Sequence, residues 1–293
     1  MRRTLTGLWL MSRPLILPSG ALAYAVGAAI AYHDHGRLDW GRQTLALGLT
    51  MLANLAAHYA DEYADADTDA LATHTGISGG SGAIAAGLAT RSLALRAALV
   101  VSALTLGGGL WTVASGALPR ASGGILAIGL LGGWAYSVPP LALERRGWGE
   151  LSNALLGSLL MPLMAYAAEV GAPPARVYLQ LAPIVAAALV CIIGVHWADR
   201  EADAAVGKRT LAVILGHRVR WLWWGCIALA YGLPVLLAPR LIPGAVAVAT
   251  MLTLPFGLYA AARATRSESP VPGSATMVAI MLAQIGAYVL SAA

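Results

Sequence analysis

The chain carries one eight-residue pattern twice, and both copies hold carboxylates that could bind a metal ion. The copies lie at residues 58–65 and 196–203, each after a long apolar segment, and each contains histidine, an aromatic residue and two Ala-Asp pairs. The aspartates of each copy are four residues apart, so on a helix they lie one turn apart on one face; they are Asp61, Asp65, Asp199 and Asp203. Carboxylates are costly in a membrane protein, so their position indicates a functional site.

Four facing carboxylates would repel one another, and a divalent cation would remove this conflict. Mg²⁺ prefers oxygen ligands and is commonly held by one or two carboxylates together with substrate phosphates. We therefore predict that the two aspartate pairs bind Mg²⁺ and, through it, a diphosphate. Basic loop residues would supply the remaining positive charge; they are Lys208, Arg209, Arg145 and Arg146. An apolar, water-poor pocket would protect the carbocation that an allylic chain forms when it loses diphosphate.

The composition is that of a polytopic membrane protein. Of 293 residues, 58% are hydrophobic and only 11% are charged, which excludes a soluble domain with a large core. The net charge of +5 is typical of basic residues at cytoplasmic helix ends and does not indicate a nucleic-acid partner. The two cysteines lie in apolar segments, so no disulfide framework is expected.

The apolar segments predict about nine transmembrane helices, since each crossing needs about 20 residues. We expect an all-α membrane bundle that forms one domain over residues 1–293. The expected spans are residues 15–32, 43–60, 92–116, 123–138, 150–169, 178–198, 219–238, 241–262 and 275–291.

The basic residues predict the orientation of this bundle. With the N-terminus inside, most of the 19 basic residues fall on the inner side, as the positive-inside rule requires. Both aspartate pairs then lie at the inner ends of the second and sixth helices, which run in the same direction. The candidate site therefore faces the cytoplasm, and the repeated pattern indicates a parallel internal repeat.

Three other features near the aspartates have less specific interpretations. His58 and His196 each precede an aspartate by three residues, so either could orient a carboxylate or contact phosphate, and a packed structural histidine is an equal alternative. The glycine-rich run at residues 76–82 lacks the Lys-Ser/Thr ending of a P-loop, so we expect a flexible loop there. Asp67 and Asp69 extend the acidic run and are expected to be solvated.

These motifs resemble the UbiA superfamily of intramembrane prenyltransferases over nearly the whole chain. The resemblance lies in Arg13-Pro14, the first aspartate pair, the Tyr-Ser-x-Pro-Pro stretch at 136–140, the Gly-x-Gly-Glu stretch at 147–150 and the motif at 199–216. It implies nine helices around a central cavity, with Mg²⁺ and a prenyl diphosphate bound at the four aspartates. It also implies diphosphate contacts for Lys208, Arg209 and Arg145 or Arg146, and a cavity-lining role for Tyr136. The stretches at 136–140 and 147–150 look most like the menaquinone branch, which acts on 1,4-dihydroxy-2-naphthoate.

The chain departs from the family pattern at matching positions of its two copies. Ala57 and Val195 stand where the family usually carries a polar residue. Asn54, one turn earlier, would substitute for the first of these. His58 and His196 follow the missing residues directly, so we expect them to contact the diphosphate or the metal in their place.

Three functions are compatible with these observations. The leading one is Mg²⁺-dependent prenyl transfer to a small, aromatic quinone precursor within a prokaryotic cell membrane, with membrane lipid around the protein. The first alternative is a terpene cyclase of the same superfamily, in which the ionised chain attacks itself. The second is a non-enzymatic transporter, which paired midplane charges would favour. The sequence gives no oligomeric state.

Overall fold

The computed structural model describes residues 2–292, and these residues form helices joined by loops, without a strand. This confirms the all-α prediction. The α-helices are α1 (Arg2–Met11), α2 (Leu17–His35), α3 (Trp40–Ala64), α4 (Ala66–Asp69), α5 (Arg91–Ala114), α6 (Arg120–Ser137), α7 (Gly149–Leu155), α8 (Met161–Val170), α9 (Ala175–Ala205), α10 (Leu211–Leu215), α11 (Val219–Leu237), α12 (Gly244–Leu252), α13 (Leu254–Arg263) and α14 (Val271–Ser291). Short 3₁₀ turns lie at Leu143–Arg146 and Gly216–Arg218, and a π-helical turn at Leu156–Leu160 joins α7 to α8.

Each of the nine predicted spans overlaps a helix or a continuous helical run. Five runs in the described part of the chain are long and apolar enough to cross a membrane: α5, α7 with α8, α9, α10 with α11, and α14. The pair α12 and α13, bent by 45°, makes a sixth. The other three, α2, α3 and α6, are long enough but less apolar, so the count of nine crossings stays a prediction.

Side-chain and glycine caps set several helix ends. The Asp39 side chain accepts a hydrogen bond from the backbone N–H of Arg42 and starts α3, because the first N–H groups of a helix have no partner within it. Thr90 and Thr210 start α5 and α10 in the same way. Gly36 ends α2 with a φ of 69°, the left-handed conformation that glycine adopts without strain.

The helices that carry the two aspartate pairs pack in different surroundings. The helix α3 lies against α5 and α6, whereas α9 lies against α11 and α14. The helix α2 packs on α8 and α14 and so joins the two groups. Ile184 and Ile193 of α9 are fully buried in the largest hydrophobic cluster. Both aspartate pairs are therefore held at the ends of helices fixed by apolar packing.

The π-helical turn between α7 and α8 has a local cause in Pro162. Proline lacks a backbone N–H and clashes with the carbonyl four residues earlier, here that of Ser158, so a regular α-helix is kinked or interrupted at this point. The wider turn accommodates both effects. Such turns are frequent at functional sites, and this one places Gly157 and Ser158 in the wall of the cavity described below.

Close contact between α2 and α8 depends on Gly27, and Gly27→Ala should destabilise the protein. An added Cβ would overlap the carbonyl of Pro162, so the two helices would have to separate. Overpacking of this kind costs about 1–3 kcal/mol or more, and thermal unfolding in detergent, followed by tryptophan fluorescence, should show a lower Tm. Gly48→Ala is the control, because a Cβ there meets no atom of the described part of the chain within 4 Å. Equal Tm values for both variants would contradict this packing.

Candidate active site

The structure brings the two aspartate pairs to one cavity of about 320 Å³. Its walls come from α2, α3, α6, the π-helical turn, α9 and α14, together with the loop at residues 76–82. One end carries the acidic residues, and apolar side chains such as Ile192, Met277 and Met281 line other parts of the wall. Further predicted site residues also line this cavity: Asn54, His58, Tyr136, His196 and Lys208.

The first aspartate pair is held by charged and hydroxyl groups. Asp61 accepts a hydrogen bond of 2.6 Å from the Ser137 hydroxyl and forms an ion pair of 2.7 Å with Arg13. Asp65, which follows the last residue of α3, is buried and contacts Lys208 and, at 3.3 Å, Arg145. Both carboxylates are therefore oriented toward the acidic end of the cavity by residues from other segments.

Lys208 connects the two pairs. Its ammonium contacts Asp65, lies 3.1 Å from Glu144 and lies 3.8 Å from Asp203, while only 5% of the side chain is exposed. Burial lowers the pKa of Lys208, but the surrounding carboxylates outweigh burial and raise it above its usual value. The lysine is therefore a fixed positive charge between the two repeats.

Glu144 adds a third carboxylate beside the first pair. Carboxylate oxygens of Asp61, Asp65 and Glu144 lie within 4.8 Å of one another. Glu144 is 1% exposed, and its Oε1, like Oδ2 of Asp203, is buried without a hydrogen-bond partner among residues 2–292. Burial, and then the neighbouring Asp65, raise the pKa of Glu144 well above its usual range. Three carboxylates close together, with a buried oxygen that accepts no hydrogen bond, are suitable ligands for a hard divalent cation.

The glycine-rich loop closes over the acidic end, which the sequence did not predict. The N–H of Gly79 donates to Asp199 at 3.0 Å, and the N–H and hydroxyl of Ser81 donate to Glu62. Gly80 has a φ of 68°, and a Cβ there would overlap the Asp69 carboxylate. The run at residues 76–82 is therefore bonded to both aspartate-bearing helices.

Asp69 also differs from its expected solvated position, whereas Asp67 does not. Asp69 lines the cavity, and burial raises its pKa to about 8 against the lowering effect of Arg13. Asp67 is exposed and pairs with Arg91 at 3.1 Å on the surface. One residue of the acidic run thus belongs to the cavity and the other does not.

The two histidines have partners at corresponding places but of different chemistry. Nδ1 of His58 lies 3.0 Å from the backbone carbonyl of Ser12, and Nδ1 of His196 lies 2.8 Å from Oε1 of Glu150. Each partner lies 46 residues before its histidine. The repeat therefore extends to the packing of the histidines, although only His196 meets a carboxylate. Their predicted contact with metal or diphosphate stays a prediction.

The remaining predicted basic residues are placed differently. Arg145 reaches Asp65, but Arg146 is exposed and donates to the carbonyl of Pro140 at 2.7 Å. Arg209 is exposed on the loop after α9, outside the cavity wall. The structure does not bring Arg146 and Arg209 to the aspartates, because their backbone positions direct them to the surface. Their predicted contact with the diphosphate stays a prediction.

Sequence reasoning missed Arg13 and Glu144 as site residues. Arg13 has a φ of 51° in the turn between α1 and α2, and its guanidinium pairs with both Asp61 and Glu62. The family resemblance includes Arg13 before Pro14, but nothing in the sequence connects this residue with the aspartates. Glu144 stood among arginines in a loop, and no spacing connected it with the aspartates.

A smaller apolar pocket of about 70 Å³ adjoins the cavity between α3, α6 and α8. The two share Asn54, Ala57, Gly133, Leu156 and Met161 in their walls. The shared wall begins one turn from the acidic end, since Ala57 precedes Asp61 by four residues. The combined space therefore has one charged end and apolar extensions.

Solved structures with the same fold span nearly the whole chain. A structure of digeranylgeranylglyceryl phosphate synthase has a TM-score of 0.68 at 15% identity, over 100% of this chain and 99% of the other. A UbiA homologue from Archaeoglobus fulgidus bound to GPP and Mg²⁺ has a TM-score of 0.68 at 16% identity, over 96% and 99%. An apo UbiA homologue from Aeropyrum pernix K1 reaches 0.72 at 16% identity, over 93% and 96%. No curated protein matches the chain by sequence.

Solved structures at 15–16% identity show only that the fold is shared. The family of the chain is assigned from a family model of the sequence. The UbiA prenyltransferase family model matches residues 21–285, which include both aspartate pairs, Glu144 and Lys208. This match, with the long apolar helices, confirms the predicted integral membrane prenyltransferase. The chain belongs to the UbiA prenyltransferase family.

Proposed function

We propose that the protein transfers a prenyl group from a prenyl diphosphate, bound through Mg²⁺ at the acidic end of the cavity, to a small aromatic acceptor. One observation carries this proposal: the carboxylates of both repeats meet at Lys208, at the charged end of a cavity with apolar walls. A molecule with a highly charged head and a hydrocarbon chain matches a cavity that has a charged end and apolar walls.

The residues at the acidic end fit a divalent cation and a diphosphate. The carboxylate oxygens that lie within 4.8 Å of one another belong to Asp61, Asp65 and Glu144. The second pair, Asp199 and Asp203, faces the same cavity from α9. Mg²⁺ bound there would neutralise the diphosphate and make it a better leaving group. Two structures of a UbiA homologue from Archaeoglobus fulgidus with this fold contain Mg²⁺, one together with DMAPP and the other with GPP.

Protein side chains would orient the diphosphate and exclude water. Lys208, Arg13 and Arg145 lie against the aspartates and would contact the diphosphate oxygens, as guanidinium and ammonium groups commonly do. The apolar wall would surround the prenyl chain, where exclusion of water prevents hydrolysis of the carbocation. Tyr136 and Asn54 line the region between the charged end and this wall.

The acceptor we propose is an aromatic quinone precursor such as 1,4-dihydroxy-2-naphthoate. The Tyr-Ser-x-Pro-Pro and Gly-x-Gly-Glu stretches support the menaquinone branch. The apolar wall beside the acidic end supports an acceptor with a hydrocarbon surface, because Ile192 and Val195 line the cavity close to Asp199. We further propose a prokaryotic cell membrane with the acidic end on the cytoplasmic side, on the basis of the distribution of basic residues.

Product analysis tests this function and separates it from cyclisation. Membranes containing the protein are incubated with Mg²⁺ and geranyl, farnesyl or geranylgeranyl diphosphate, with and without 1,4-dihydroxy-2-naphthoate, and lipids are analysed by mass spectrometry. We expect a prenylated naphthoate whose formation stops when EDTA removes the metal. Diphosphate release with a cyclic hydrocarbon as product, independent of acceptor, would instead establish a cyclase. No release with any of the three diphosphates would reject metal-dependent prenyl chemistry.

A further inference from the structure

We propose that His196, held by Glu150, accepts the proton that the aromatic acceptor loses when it is prenylated. This inference rests on the proposed function and adds a catalytic residue to the same cavity. It uses a buried pair that the binding of metal and diphosphate leaves without a role.

The pair is fixed on both sides by buried contacts. Nδ1 of His196 lies 2.8 Å from Oε1 of Glu150, and the same oxygen accepts a hydrogen bond of 2.7 Å from the backbone N–H of Leu211. Glu150 is fully buried, and His196 is 6% exposed. The carboxylate is thereby held between the start of α7 and the start of α10, and cannot turn away from the imidazole without losing a hydrogen bond.

This contact determines which nitrogen can act on a ligand. A carboxylate accepts a hydrogen bond from Nδ1–H, so Nε2 is the nitrogen that carries the free lone pair. His196 lines the cavity, so we assign Nε2, the nitrogen that Glu150 leaves free, to the ligand there. A buried carboxylate on Nδ1 holds one tautomer and stabilises the imidazolium that forms when Nε2 takes a proton.

The position of His196 along α9 suits a base that acts on the acceptor. His196 precedes Asp199 by three residues, which corresponds to about 4.5 Å along the helix axis. It therefore lies farther than Asp199 from the loop that follows α9. Ile192 and Val195 line the cavity beside it on α9, and Asn153 lines it from α7. An acceptor that attacks the carbon next to the diphosphate would lie at this boundary between the charged and apolar regions.

The proposed step is balanced without any further reactant. The carbon–oxygen bond of the prenyl diphosphate breaks, and its electron pair leaves with the diphosphate. A ring carbon of the acceptor forms the new carbon–carbon bond, and the proton on that carbon passes to Nε2 of His196. Glu150 stabilises the resulting imidazolium until the proton leaves to solvent.

His58 offers a matched comparison within the same chain. It occupies the corresponding position of the first copy and also lines the cavity, but its Nδ1 contacts the uncharged carbonyl of Ser12. A carbonyl orients the ring but supplies no negative charge to stabilise an imidazolium. The base role therefore belongs to His196 alone.

The test measures two rates for each protein with geranyl diphosphate and Mg²⁺. One is diphosphate release without acceptor, and the other is prenylation of 1,4-dihydroxy-2-naphthoate or 4-hydroxybenzoate. The variants are His196→Gln, Glu150→Gln and His58→Gln, with folding checked by gel filtration and circular dichroism. For His196→Gln we expect the ratio of prenylation to release to fall at least about 100-fold, the usual minimum effect of a general base. Glu150→Gln should lower this ratio in the same direction, whereas His58→Gln should change both rates together.

Small-molecule rescue covers the case in which His196→Gln folds poorly. His196→Ala leaves a gap beside Glu150, and added imidazole should restore prenylation there but not in Glu150→Gln. An unchanged ratio in a folded His196→Gln protein, or equal loss of both rates, would overturn the base assignment alone. A wild-type protein that prenylates neither acceptor would reject the proposed transfer itself and the base with it.

Discussion

The substitutions Asp61→Ala and Asp199→Ala should each lower the rate of Mg²⁺-dependent prenyl transfer by about 10²- to 10³-fold. This effect is comparable to the loss of one preorganised charge-stabilising group. Asp61 belongs to the three carboxylates whose oxygens lie within 4.8 Å of one another, and Asp199 faces the same cavity from the other repeat. Each substitution removes a carboxylate that would hold the cation against the diphosphate. Initial rates at saturating Mg²⁺ measure the effect.

Asp67→Ala is the matched control for these two variants. It removes the same charge from the acidic run, but Asp67 is exposed and pairs with Arg91 outside the cavity. Its rate should stay close to that of the wild type. Wild-type turnover in folded Asp61→Ala or Asp199→Ala protein would exclude a site that needs both repeats.

Lys208→Met should lower the free energy of unfolding in EDTA by about 3–5 kcal/mol, the usual cost of removing one partner from a buried ion pair. The change leaves Asp65, Glu144 and Asp203 buried together without their shared ammonium. Because Mg²⁺ can supply the missing positive charge, it should raise the Tm of Lys208→Met more than that of the wild type. Thermal unfolding in detergent, with and without Mg²⁺, measures both effects.

Arg209→Met provides the comparison for the lysine variant. The two residues are adjacent and carry the same charge, but Arg209 is exposed whereas Lys208 is buried. Its Tm in EDTA should therefore remain near that of the wild type. If both variants lost stability equally, the effect would come from the charge of the loop and not from the contacts of Lys208.

Local spacing made the aspartates predictable. Carboxylates at i and i+4 share a helix face, and long apolar runs form helices in a membrane, so Asp61, Asp65, Asp199 and Asp203 could be placed together from the chain alone. Lys208 could be included because it follows the second pair by a few residues. These inferences depend on short distances along the chain, where helix geometry leaves few alternatives.

Residues brought in by tertiary packing could not be predicted in this way. Glu144 reaches the site through a 3₁₀ turn whose position depends on how α6 and α7 pack. The histidines are equivalent in sequence, yet one meets the carbonyl of Ser12 and the other meets Glu150, each 46 residues away. The π-helical turn has a visible cause in Pro162, but proline also permits a simple kink. Only the packed structure distinguishes these outcomes.

The contact between Lys208 and Asp65 also sets an order of events during synthesis. The two residues are 143 positions apart, and N-terminal segments emerge from the ribosome and fold first. Asp65 and Glu144 are therefore both made before Lys208 exists, and they cannot be buried together at low cost until α9 and its following loop have arrived. Closure of the charged end is thus a late event in biogenesis. A chain truncated before residue 208 would hold Asp65 and Glu144 without the ammonium group that lies between them.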